Sequence, residues 1–103
     1  MELDGLGIHG FDWDDHNRDK ILSKHGVAPR QVESIFNQHF RWWQDRVHSA
    51  YEPRFIAVGL DLDGRMLLVV LTLRTLEGQT LIRPISARRM HAKEWERYEK
   101  NIG

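Results

Sequence analysis

Three β-type runs follow one another with almost nothing between them, and this leaves the chain few ways to fold. Arg54–Leu60, RFIAVGL, is followed by residues 65–74 across Asp63-Gly64, a strong hairpin signal. The second run returns into residues 80–85 through Glu77-Gly78. Connections this short cannot hold a parallel crossover, so these neighbours must pair antiparallel. Residues 67–71 are apolar on both faces, which marks the middle run as a central strand covered on both sides or nearly so. Pro84 has no amide hydrogen for a ladder, so the third run needs an edge, a bulge or an end there. Residues 41–47, RWWQDRV, read as a fourth strand with Trp42 and Trp43 facing opposite sides.

Helical signals flank the strands. Asp12, Asp14 and Asp15 suit the start of a helix over 14–24, and Gly26 supplies the left-handed stop, leaving His25 in the last turn. Pro29 opens a second helix over 29–38, whose face is Val32, Ile35 and Phe36. A third helix over 90–100 follows a basic junction, Ile85-Ser86-Ala87-Arg88-Arg89. Residues 1–10 read as a flexible arm or a short strand around 6–8. The sum is one α+β domain over 1–103, with a compact part over 11–100. Its order is α-α-β-β-β-β-α around a four-stranded antiparallel sheet. The helices should cover mostly one face and leave the other partly exposed as a docking surface.

Charge is uneven along the chain. There are 15 Lys and Arg against 15 Asp and Glu. Residues 83–100 hold six basic against three acidic, +3, so the remainder holds nine against twelve, −3. A basic end favours an anionic partner there. With no Cys, thiol catalysis, a disulfide scaffold and a cysteine zinc site are excluded. No basic segment leading into an apolar run opens the chain, and the longest apolar run, 66–71, is too short for a bilayer. Cytoplasmic residence without a membrane is expected.

The chemistry-bearing residues are His, Arg and Lys. There is no phosphate-binding Gly loop. Asp12, Asp14, Asp15 and His16 cluster, but they read first as helix-terminal charges, so neither a metal nor a cofactor is expected. Metal-free phosphodiester cleavage needs a group to take a proton from the attacking 2′-hydroxyl. It also needs cations at the phosphate and a proton for the departing 5′-oxygen. His25 beside Lys24 is the histidine best suited to such a role, although on the residues alone a cationic helix cap is the first reading of it. His48, in a polar loop, is a weaker candidate. Arg83 lies on an apolar strand, on the side of Leu81 and Ile85 by alternation, where it should reach a carboxylate or an anion. Arg88, Arg74 and Arg54 are candidates for gripping substrate phosphates.

These blocks together resemble a known family. Phe11-x-Trp13-Asp14, Lys24-His25-Gly26-Val27, Arg54-Phe55-x-x-x-Gly59, Asp63-Gly64-Arg65 and Arg83-x-Ile85-Ser86-Ala87-Arg88 are similar in order and spacing to the BrnT toxins. The likeness covers roughly residues 11–99. It implies a RelE-like fold and a metal-independent endoribonuclease, the toxin half of a type II toxin–antitoxin pair. It further implies a cognate antitoxin with a DNA-binding domain, with operator DNA reached only through the complex. Homo-oligomerisation is left open. On the matched positions, His25 would be the acid or base. Lys24 and Arg83 would stabilise the phosphate, and Arg88, Arg74 and Arg54 would bind substrate. The alternative is a toxin-like module that binds a partner protein or nucleic acid and cuts nothing. A third reading is a hydrolase with a metal on the Asp12–His16 cluster. Pro84 replaces an expected Ile and so forecasts distortion beside Arg83.

Overall fold

The computed structural model describes residues 2–3 and 6–102, with side chains described over 7–99. Its elements are β1 (Glu2–Leu3), β2 (Leu6–Gly7), β3 (Gly10–Phe11), α1 (Asp15–His25), α2 (Pro29–Ile35), β4 (Phe40–Gln44), β5 (Arg54–Leu60), β6 (Met66–Leu76), β7 (Gln79–Arg89) and α3 (Ala92–Ile102). The main sheet has five strands in the order β3-β7-β6-β5-β4, and β1 and β2 form a separate antiparallel pair.

The four-stranded, wholly antiparallel sheet in α-α-β-β-β-β-α order is therefore corrected. A strand precedes the first helix, and it joins β7 in parallel, with Gly10 opposite Leu81 and Phe11 opposite Ile82. His9 donates its N–H to the Thr80 carbonyl at 2.9 Å, and Asp12 donates to Ile82 at 2.8 Å. The short-connection argument holds for β4 to β7, which all pair antiparallel. It says nothing about β3, whose partner lies most of a chain length away. A two-residue strand also carries no period that a sequence could reveal. The part of the 1–10 arm at residues 1, 4 and 5 lies outside the described residues.

Local chemistry sets the other elements. The Asp14 carboxylate accepts the Asn17 N–H at 3.0 Å and caps α1. At the far end Gly26, at φ 65°, lets its N–H reach the Leu22 carbonyl. Pro29 starts α2, and the Gln31 side chain accepts the Ala28 N–H at 2.8 Å. Glu77 and Gly78 both take positive φ, 50° and 78°, as a two-residue hairpin with the twist of its strands requires. In the β5–β6 turn the buried Asp61 carboxylate accepts the N–H groups of Asp63 and Arg65, each at 2.8 Å.

The two faces of the sheet differ. Ile21, Val27, Val32, Ile35 and Phe36, from α1 and α2 and the residues beside them, pack with Ala57, Leu67, Val69, Leu71, Ile82 and Ala87. Trp13 joins α1 to α2 by donating from Nε1 to Glu33 at 2.8 Å. Trp42 meets Phe55 on this side, their rings 4.7 Å apart. On the other face Trp43 stacks on Tyr98 of α3 at 5.1 Å. Thus α3 lies across the sheet from α1 and α2, where the sequence had placed all three helices mostly together.

β7 runs to Arg89, past the Ile85 at which Pro84 suggested an end. Val70 pairs with Ser86 but Leu71 pairs with Pro84, so Ile85 is an extra residue, a bulge. The proline is tolerated at this irregularity, beyond the last bond to β3.

At Gly59 the neighbouring strand and the helical layer both come close. A Cβ there would sit 3.1 Å from the Phe40 Cβ and 3.3 Å from the Ile35 Cβ, neither of which can rotate away. Gly59→Ala should destabilise the fold by about 1–3 kcal/mol. That outweighs the ~0.4–1 kcal/mol gained by stiffening the unfolded chain. Denaturant unfolding would measure it, and an unchanged midpoint would contradict this packing.

Candidate functional site

Strand register assembles the arginines on the sheet face opposite α1 and α2. Arg54 of β5 is opposite Thr72 of β6, and Thr72 is opposite Arg83 of β7. The three form one row across the sheet. Arg74 lies one row away, opposite Leu81. In the other direction Ile56 and Val70 form an apolar row with Ser86, and Arg41, Val58, Leu68 and Arg88 form the next. With strands ~4.8 Å apart and two residues rising ~6.7 Å, Arg54 and Arg83 stand ~10 Å apart with Arg74 diagonal to Arg83. Arg83 and Arg88 share this face because of the Ile85 bulge. Five residues apart, they would face opposite ways on a regular strand. The expected alternation of Arg83 with Ile85 is corrected in the same stroke, since Ile85 is the unpaired residue.

Most of these guanidiniums hold a carboxylate. Arg83 meets Asp12 at 2.7 Å, with both side chains about three-quarters buried. Arg74 approaches Glu52 at 3.7 Å. Arg88 makes two bonds to Glu94 in the first turn of α3, at 2.9 and 2.7 Å. Arg88 is thus a strand residue clasping the helix, not part of a junction at the helix N-terminus. The Arg88 bond holds the Glu94 carboxyl below its usual range, against the opposing effect of partial burial. The Nε atoms of Arg74 and Arg83 are out of solvent without a hydrogen-bond partner. Arg54 has no side-chain ion pair among the described residues, and it lines a pocket of about 390 Å³ with Val47, His48, Ala50, Tyr51 and Glu52.

His25 and Lys24 are elsewhere. They end α1, which packs on the helical side of the sheet, so the sheet stands between them and Arg54, Arg74, Arg83 and Arg88. Lys24 is exposed and His25 half-buried. The sequence-derived site is therefore two groups on two layers.

The acidic cluster at the start of α1 is spoken for residue by residue. Asp12 pairs with Arg83, Asp14 caps the helix, and Asp15 pairs with Arg18 at 3.2 Å. The Asn17 N–H holds the Asp14 carboxyl below its ordinary value. No group of three or more His, Asp and Glu suited to a metal occurs among the described residues. No described helix is long and apolar enough to cross a membrane.

Sequence reasoning missed Asp45. It sits just past β4, and its carboxylate bonds His48 Nδ1 at 2.8 Å. The three-residue spacing was the available signal. It passed unnoticed because residues 41–47 read as a strand, in which such a pair would not meet.

The model of a family described as "Ribonuclease toxin, BrnT, of type II toxin-antitoxin system" matches residues 13–94. A comparison with curated proteins gave no match.

Glu94 binds its proton less readily in the fold than in the unfolded chain, so its pairing stabilises above the unfolded carboxyl range and is lost as pH falls through the folded value. Glu94→Gln should lower the urea midpoint at pH 7. The difference should close below the carboxyl range, where the wild-type group is also neutral. An equal loss at both pH values would point to packing.

Proposed function

The chain belongs to the BrnT family of ribonuclease toxins of type II toxin–antitoxin systems, and from that premise we propose that it cleaves RNA, without a metal, on the arginine-bearing face of the sheet. The observation that carries this reading is the row Arg54-Thr72-Arg83 with Arg74 beside it. Guanidiniums at this spacing can grip successive non-bridging phosphate oxygens and stabilise the charge that builds up there. In the cell the toxin would be neutralised by a cognate antitoxin carrying a DNA-binding domain. Operator DNA would be met only through that complex, and cytoplasmic residence fits such a substrate and partner.

A second reading has support of its own. Arg74, Arg83 and Arg88 each already hold a carboxylate, and the whole chain is neutral. Such a face suits a module that binds a partner and cuts nothing.

Purified, antitoxin-free protein incubated with a structured RNA decides between them. Discrete fragments that persist in chelator are expected. Arg54→Ala and Arg83→Ala should each lower cleavage by about ten- to a thousandfold while antitoxin binding is kept. RNA left intact, alone and with translating ribosomes, would leave the binding module. His25→Ala decides which layer does the chemistry. A loss as deep as that of Arg83→Ala would move proton transfer to the α1 end.

A further inference from the structure

We propose that Asp45 and His48 are the proton-transfer pair of this site, with His48 the catalytic base and Asp45 its positioning residue. The inference rests on the ribonuclease reading above.

Backbone register places the pair. Asp45 continues β4 by one residue, since its N–H donates to the Arg54 carbonyl at 2.7 Å. Two residues on from Trp43, it leaves the sheet on the same side as Trp43 and Arg54. The row thus reads Asp45, Arg54, Thr72, Arg83. The loop after Asp45 turns back over this end. The Ser49 hydroxyl accepts the Arg54 N–H at 2.9 Å and donates to the Asp45 carbonyl. Thr72 donates to the Pro53 carbonyl at 2.8 Å, which fixes the loop's exit.

The side chains then have the right polarity. Asp45 is only 15% exposed, and His48 lies 2.8 Å away with its ring 66% exposed. The His48 bond keeps the Asp45 carboxyl below its usual range, so Asp45 is ionised at neutral pH. An ionised carboxylate only accepts, so Nδ1 carries the hydrogen of this bond. On a neutral ring that leaves the lone pair on Nε2 of this largely exposed ring, the tautomer a general base needs. Among the described residues no other histidine is bonded to a side-chain carboxylate. The pocket around it also holds Arg54, and Glu52, which lies against Arg74. Tyr51 on its rim is fully exposed and offers a ring on which a base can stack.

In the step assigned here, the RNA 2′-oxygen forms a bond to the adjacent phosphorus as the bond from phosphorus to the 5′-oxygen breaks. The 2′-hydroxyl proton passes to His48 Nε2. The departing 5′-oxygen takes a proton from water, and the imidazolium returns its proton to the hydroxide so formed. Arg54, which lines the pocket with His48, holds a non-bridging oxygen of this phosphate, and Arg83 holds a neighbouring phosphate of the strand. The products are a 2′,3′-cyclic phosphate and a 5′-hydroxyl.

The test uses the full-length chain with a structured RNA in chelator, and with translating ribosomes should naked RNA stay intact. His48→Ala should lower kcat by about a hundred- to ten-thousandfold, with KM little changed, and added imidazole should restore part of the rate. Asp45→Asn should lower kcat by about tenfold or more at similar KM. Fragments should end in cyclic phosphate and 5′-hydroxyl. Full activity in both His48→Ala and His48→Gln, with Arg54→Ala inactive, would overturn the pair and leave the ribonuclease reading standing. Loss of activity that imidazole does not restore, in variants of wild-type stability, would assign His48 a structural role and overturn it too. Fragments with 5′-phosphate ends would exclude this step. A wild-type chain that cuts neither substrate would overturn the ribonuclease reading and the pair with it.

Discussion

One extra residue in β7 decides what the sheet displays. Pro84 interrupts the regular ladder and Ile85 bulges beside it. From that point the strand's parity is reversed. Ile82 and Pro84 face the helical core before the bulge, and Ala87 faces it afterwards, so the core stays apolar along the whole strand. The same reversal brings Arg88 round to the side of Arg83. A regular strand would have turned one of the two towards α1 and α2. The proline that makes β7 irregular is therefore also what lets a single strand carry two arginines to one surface.

The division of labour follows from that parity. One face is closed by α1 and α2 over an apolar core, and Gly59 marks how tightly. The other face carries α3 over only one end, held by the Arg88–Glu94 clasp and by Tyr98 against Trp43. The row from Asp45 to Arg83 lies at the other end, where the 45–53 loop folds over Thr72. Rigid strands position the arginines, and the loop brings a titratable group to them. On the proposed reading, this suits a site that must both hold and react with its ligand.

How far the sequence could be read depended on range. Strands β5 to β7 and their turns were legible because each signal is local: alternation, Asp-Gly, Glu-Gly. The start and stop of α1 were legible for the same reason, through Asp14 and Gly26. β3 was not, since two residues have no period and their partner is remote. The end of β7 was misplaced because Pro84 allows an edge, a bulge or an end, and only the strand register shows that it is the bulge. Among site residues, Arg83 was legible as an oddity, a charge on an apolar strand, but Asp12 looked like a helix-end charge and not its partner. His25 and Arg83 were grouped by the chemistry of their side chains, on positions matched in order to the family. Order along the chain does not say on which side of a sheet a residue lies.

The carboxylates that sit on Arg74, Arg83 and Arg88 can be regarded as resident counterions. A free arginine surface is covered by mobile ions, whose release drives polyanion binding and makes it steeply dependent on salt. Here part of that cover is covalently attached and cannot diffuse away. An incoming phosphate must exchange with Asp12 or Glu52, and the displaced carboxylate stays nearby to compete for the site again. On the proposed reading, such a surface would discriminate by valency. An isolated phosphate gains little from the exchange, whereas a strand offering several phosphates in register makes all the exchanges at once.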